Sequence, residues 1–293
     1  MSTTVVLLSD TNPAGVIADA SAPLINIEDQ GLTRGDGVFE TMLAVNRSVR
    51  KIDAHLTRLA GSARLLELPM PSEKQWQDAI ATALKEAEVG ARTPLGEEHT
   101  VKLIISRGTV EEGPHAWVTV APSSAKVLSQ REEGVKAMLL PRGHDPAEDS
   151  AYPWLLAGAK TLSYAVNMSV LRYVKSRGAD DAIWVTDERR ILEGATSSVI
   201  VAKTVNGVKT LYTPEPSHGI LPGTTQGTIF NGARENGWEL GFGPLYPQDL
   251  LEADGVWLAS SVRLLAPVTH LNGTKIAVDA DTTHELLGYL ANN

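Results

Sequence analysis

Near its middle the 293-residue chain runs through a polar, turn-rich stretch, from Pro122-Ser123-Ser124-Ala125 to Glu132-Glu133-Gly134. Apolar runs of strand length flank it, at Val101 to Arg107 and Ala116 to Ala121 before it and Val135 to Leu140 after it. A break of that composition fits a connection between two folded units. It predicts an N-terminal α/β domain over residues 1–122, a connection over 123–134 and a C-terminal domain over 135–293. Both halves mix two periodicities. Short strands at Val5 to Ile27, Asp181 to Thr186, Ile191 to Val201 and Gly255 to Leu258 alternate with helical runs at Asp53 to Leu66, whose acidic first residue fits a cap, and at Glu73 to Glu88 and Gly227 to Glu235. The class expected is therefore a mixed α/β (α+β) fold.

Composition removes several kinds of chemistry. No cysteine is present, so thiolate metal sites, disulfides and cysteine nucleophiles are excluded, and the seven histidines lack metal-ligand spacing. A formal charge of −9, from 26 basic and 35 acidic side chains, offers no footprint for nucleic acid. The N-terminal Met1 to Leu8 lacks a basic lead, and no stretch is apolar for long enough to span a membrane, so the expected location is the cytoplasm.

Several segments carry chemistry-bearing residues. Gly31-Leu32-Thr33-Arg34-Gly35-Asp36-Gly37-Val38-Phe39-Glu40-Thr41 sets a glycine-rich turn ahead of a strand. Arg58, flanked by leucines on the Asp53 to Leu66 helix, reads either as a snorkelling surface arginine or as a fork for an anion. Lys160 lies among the small residues of Ala157-Gly158-Ala159-Lys160-Thr161-Leu162-Ser163-Tyr164, ahead of a helical run through Leu162, Val166, Val170, Leu171 and Val174. Alone it is a surface lysine at a helix start, or a desolvated amine able to form a Schiff base with a carbonyl cofactor. Glu193, beside Gly194 at a break between strands, is a turn acid or a carboxylate aimed at a ring nitrogen. Gly223-Thr224-Thr225 opens a helix and is a plain N-cap or an anion cradle. Ser260-Ser261, at the end of a strand, offers one further phosphate contact.

In order, Gly35-Asp36-Gly37-Val38-Phe39-Glu40, His55-Leu56-x-Arg58-Leu59, Lys160, Glu193-Gly194, Ile220-Leu221-Pro222-Gly223-x-Thr225 and Ser260-Ser261 resemble the class IV aminotransferases, the pyridoxal-phosphate enzymes that include branched-chain and D-amino-acid aminotransferases and aminodeoxychorismate lyases. The resemblance spans nearly the whole chain, and the 33-residue step from Lys160 to Glu193 is similar to the family's. It implies two α/β domains with pyridoxal 5′-phosphate at the domain interface, in a homodimer acting on a small amino or keto acid. It also implies that Lys160 binds the cofactor covalently and shuttles protons, that Glu193 protonates the pyridine nitrogen, and that Arg58, Thr224, Thr225 and Ser261 hold the phosphate.

Departures bear on substrate. Branched-chain enzymes carry a tyrosine five residues after the lysine, whereas Tyr164, the candidate for the cofactor's phenolic oxygen, comes four after it. The loop with Glu111, Glu112 and Pro114, next to His115, lacks the second arginine of D-amino-acid enzymes, and its acids would repel a carboxylate. The Arg34 to Thr41 motif, the Ser106-Arg107-Gly108 turn and Lys160-Thr161-Leu162-Ser163 resemble most the aminodeoxychorismate lyase branch, which yields 4-aminobenzoate and pyruvate. Arg34 and Arg107 are then candidates for the substrate carboxylates. Branched-chain or D-amino-acid transamination is the alternative, and a cofactor-binding paralogue without catalysis stands further off.

Overall fold

Alternating apolar residues bounded by turn formers build a first antiparallel sheet, and a second run of strands builds another. The structure, a computed structural model, describes residues 3–9, 12–149, 151–215 and 219–291. It divides into two compact units, Met1–Ala125 with Ala159–Tyr164, and Lys126–Gly158 with Ala165–Asn293.

The first unit contains β1 (Thr4–Ser9), β2 (Asn12–Ala18), α1 (Gln30–Arg34), β3 (Gly37–Val45), β4 (Ser48–Val49), α2 (Ile52–Leu65), α3 (Glu73–Glu86), β5 (Ala91–Thr93), β6 (Gly96–Thr109) and β7 (Gly113–Pro122). Its described strands run β2-β1-β7-β6-β3-β4, with β5 on β6. β3 and β6 pair antiparallel from Gly37 opposite Ser106 to Val45 opposite Glu98. The turn into β4 uses Asn46 and Arg47, both at positive φ, the pairing that matches a hairpin's right-handed twist. Val38, Met42 and Ala44, at even spacings on one face of β3, are buried, as are Leu56 and Leu59 of α2. Each large apolar side chain so buried contributes about 1.5–3 kcal/mol. A capping box of Ser72 and Gln75 starts α3.

The second unit follows with α4 (Ala125–Glu133, from its second residue), β8 (Val135–Pro141), α5 (Pro146–Asp149), α6 (Ala165–Lys175), β9 (Asp181–Val185), β10 (Ile191–Gly194), β11 (Ser198–Val205), β12 (Val208–Thr213), α7 (Thr224–Glu235), β13 (Glu239–Phe242), α8 (Pro247–Leu251), β14 (Gly255–Ser260), β15 (Leu264–Leu271), β16 (Thr274–Lys275) and α9 (Ala280–Ala291). The described strands run β10-β9-β8-β15-β14-β11-β12-β13, with β16 on β15. The sheet is mixed, because β8 pairs parallel with both β9 and β15. Val135, Ile183, Val199, Val201, Leu258 and Val268 fill a core, and Val170 and Val174 of α6 pack with Trp184, Leu192 and Ile220. Among the described residues no helix is long and apolar enough to cross a membrane.

Four local features differ from the reading of the sequence. The stretch taken as a connection carries α4, because Lys126, Gln130, Arg131 and Glu132 are helix formers as well as polar, and Gly134 at φ 76° ends the helix. The glycine-rich turn before β3 contains α1, capped by the Asp29 carboxylate on the Gly31 and Leu32 amides and closed by left-handed Gly35. Asp53 lies in the first turn of α2, where it favours the helix dipole, and the cap residue is Lys51. Residues Ala159–Tyr164, expected with the C-terminal half, pack with the first unit.

Candidate active site

Lys160 is fixed by its backbone before its side chain acts. Its amide donates to Ser62 Oγ at 3.0 Å, its carbonyl accepts from the Phe39 amide at 3.0 Å, and the Leu162 amide donates to the Gly37 carbonyl at 2.8 Å. Thr161 forms an antiparallel bridge with Val38. The lysine segment therefore adds to the N-terminal end of β3, while β4 covers only the other end of that strand. Nζ of the half-buried lysine stands 4.5 Å from the centre of the Phe39 ring and 5.7 Å from that of Tyr164, and the two rings meet edge to face. The helix α6 begins at Ala165, so Leu162 belongs to this paired segment and not to the helix.

His55, Arg58 and Ser62 repeat at three and four residues, which puts them on one side of α2. Ser62 holds Lys160, and the other two hold Glu40 of β3. Arg58 donates from Nε to Glu40 Oε1 at 2.6 Å and from Nη2 to Oε2 at 2.9 Å, and His55 Nδ1 lies 2.7 Å from the same Oε2. Burial of Glu40 would raise its pKa, yet the Arg58 guanidinium and His55 outweigh burial and hold the carboxyl down at about 2. The arginine is thereby fixed in plane by a bidentate partner. The Phe39-Glu40 pair was legible as part of a motif, but the role of Glu40 was not. An acid on the buried face of a strand, with a histidine and an arginine on one face of the next helix, is the signal that was available.

In the second unit Glu193 lies in β10, one residue before its end. Its Oε1 accepts from Arg142 Nη1 at 3.2 Å and its Oε2 from the Leu221 amide at 3.3 Å. Nothing in the sequence pointed to Arg142. Thr224 starts α7 after a glycine, Gly223, that offers no side-chain cap, so the alternative of a threonine N-cap does not hold. Thr224 Oγ1 lies 3.3 Å from Ser261 Oγ, and Thr225 is buried in the same first turn. A Cβ at Gly223 would come 2.3 Å from Ser198 Oγ, so a side chain there must displace that hydroxyl or the helix start. Asn167 Nδ2 donates to the Ala195 carbonyl at 2.6 Å, tying α6 to the turn after Glu193.

Arg34 and Arg107 lie in the first unit and differ in preparation. Arg34 is exposed at the end of α1. Arg107 donates from Nε to Asp36 Oδ2 at 2.7 Å and from Nη2 to the Leu66 carbonyl at 2.5 Å, and the hydrogen bond to Asp36 raises its already high pKa. Its turn is held by Ser106, whose Oγ donates to buried Asp29 and accepts from the Gly31 and Gly108 amides. On the acidic loop, His115 pairs with Glu112 at 3.4 Å. Among the described residues no group of three His, Asp or Glu side chains could hold a metal ion.

A family model for class IV amino-transferases matches residues 37–271. A protein of Mycobacterium tuberculosis named bifunctional aminodeoxychorismate lyase / D-amino acid transaminase is 40% identical over 268 residues, covering 89% of this chain and 91% of its own. Among solved structures, a hypothetical aminotransferase from Mycobacterium tuberculosis in its PLP-bound form superimposes with a TM-score of 0.88 at 36% identity, covering 99% of each chain. A fold IV transaminase from Curtobacterium pusillum does so with a TM-score of 0.87 at 37% identity, covering 99% of this chain and 97% of its own.

Proposed function

Because the chain belongs to the class IV aminotransferases and is a pyridoxal-phosphate-dependent enzyme, we propose that its reaction is that of an aminodeoxychorismate lyase, giving 4-aminobenzoate and pyruvate. The observation that carries this reading is the 40% identity, over nine-tenths of the chain, to a protein whose name includes that lyase. The same name supports a second reading, D-amino-acid transamination by the same site.

The donor set fits the cofactor. An amine over two aromatic rings suits an aldehyde, a carboxylate gripped by an arginine suits a ring nitrogen, and a glycine-preceded helix start with two paired hydroxyls suits a phosphate. When bound, pyridoxal phosphate supplies an aldehyde for the substrate amine and an electron-withdrawing ring for the charge that develops beside it. Lys160 Nζ holds the cofactor in the resting enzyme and then moves protons at the substrate. Glu193 keeps a proton on the ring nitrogen, with Arg142 fixing its carboxylate. Thr224, Thr225 and Ser261 bind the phosphate, and Arg58 adds positive charge while Glu40 holds its plane. Tyr164, whose ring centre stands 5.7 Å from Lys160 Nζ, remains the candidate for the cofactor's phenolic oxygen. Arg107, anchored through Nε and Nη2, presents Nη1 to one substrate carboxylate, and Arg34 serves a second. The enzyme acts as a homodimer, which light scattering of the purified protein checks.

Supplying aminodeoxychorismate, without any keto acid, distinguishes the two readings. A lyase forms 4-aminobenzoate and pyruvate in equal amounts. Turnover only of D-amino acids, and only with an acceptor such as 2-oxoglutarate, would overturn the lyase assignment in favour of the transaminase.

A further inference from the structure

The hairpin between β14 and β15 closes on three residues, Ser261-Val262-Arg263, since Ser260 pairs with Leu264. A three-residue hairpin loop puts one residue in the left-handed region, where glycine is usual because a Cβ is disfavoured there. In this hairpin the left-handed residue is not in the loop but is the first strand residue after it, Leu264, at φ 61° and buried. Leucine has no preference for this backbone, so the neighbours must impose it. Two arginines bind the turn on either side. Arg131 of α4 donates from Nε to the Arg263 carbonyl at 3.2 Å and from Nη2 to the Val262 carbonyl at 2.5 Å, spanning the turn with one planar fork. Arg263 donates from Nη1 to Asp181 at 2.7 Å, a fully buried carboxylate at the start of β9. Ser261, at the head of the same turn, carries the hydroxyl that meets Thr224.

We propose that Arg131 is a positioning residue for the cofactor's phosphate: by gripping the Val262 and Arg263 carbonyls it holds the left-handed hairpin in the shape that presents Ser261 beside Thr224. The inference rests on the assignment of Ser261 and Thr224 to the phosphate made above. Arg131 acts through the turn, not through its own charge.

The full chain, stripped of cofactor, is titrated with pyridoxal 5′-phosphate and with pyridoxal, which lacks the phosphate. Wild type is compared with Ser261→Ala, Arg131→Met, Leu264→Gly and the Arg131→Met/Leu264→Gly double variant, with circular dichroism and thermal unfolding reporting the fold. Arg131→Met should weaken pyridoxal phosphate about tenfold or more and leave pyridoxal within about twofold. Leu264→Gly should keep the preference for the phosphorylated ligand, and the double variant should recover most of the loss, because glycine takes the left-handed backbone without being held there. A direct charge contact or a general loss of packing would give no such recovery. Equal weakening of both ligands by Arg131→Met, or a double variant as weak as Arg131→Met, overturns the proposal. If Ser261→Ala loses the preference while Arg131→Met keeps it, the inference alone falls. If Ser261→Ala keeps the preference, the assignment of Ser261 falls and takes the inference with it.

Discussion

Replacing Glu40 by glutamine removes the negative charge between Arg58 and His55 and keeps the side chain's size. In the native chain this carboxylate has no exposure and receives three bonds of 2.6, 2.9 and 2.7 Å. Burial opposes its charge, but Arg58 and His55 prevail and lower its pKa from 4.5 to about 2. A lowering of that size corresponds to about 3 kcal/mol of stability at neutral pH. A carboxyl whose folded pKa is depressed stabilises fully above its unfolded pKa, and the contribution is lost as the pH falls from 4.5 toward about 2. Glutamine supplies none of it at any pH and leaves the Arg58 charge without its buried counter-charge, which adds to the cost. Urea unfolding of the two proteins should therefore differ by about 3 kcal/mol or more at neutral pH, and the gap should narrow as the pH drops below about 4.5. A gap under about 1 kcal/mol at neutral pH, the scale of an exposed ion pair, or one that stays constant down to about pH 3, would refute the reasoning.

Three further outcomes follow from the site. Gly223→Ala brings a Cβ 2.3 Å from Ser198 Oγ and pushes the start of α7 away, so pyridoxal phosphate should bind about tenfold more weakly with helix content unchanged; absorbance titration reads it, and wild-type affinity would remove the helix start from the phosphate site. Arg142→Met deprives Glu193 of its ionic partner, and kcat should fall about tenfold in protein that still takes up cofactor; an unchanged kcat would mean that Glu193 needs no such support. Arg107→Gln should raise KM for the carboxylate substrate about tenfold or more with kcat little altered, whereas a loss of kcat at constant KM would assign this arginine to the chemistry instead.

Patterns local in sequence were legible. The strands on either side of the Gly108 loop and the helix opened by Gly223-Thr224-Thr225 announce themselves within a few residues. Lys160, Glu193, Thr224 and Ser261 could be singled out as candidates because the residue types and their order survive without any contact being known. What the sequence concealed is long-range. Arg131 reads as one more polar residue in a polar stretch, since its partners are backbone carbonyls more than a hundred residues away. Arg142 and Asp181 are hidden for the same reason, as is the addition of the Lys160 segment to β3. Glu40 is intermediate: its alternation with Val38 and Met42 marks it as buried, and a buried acid demands a cation.

Borohydride reduction of the cofactor-loaded enzyme, followed by digestion and mass spectrometry, tests the central claim most directly. The account predicts loss of the visible absorption and a pyridoxyl mass on the peptide that contains Lys160, on no other lysine, with Lys160→Ala folded but unlabelled and without turnover. A label on another lysine, or turnover that survives Lys160→Ala, would contradict it.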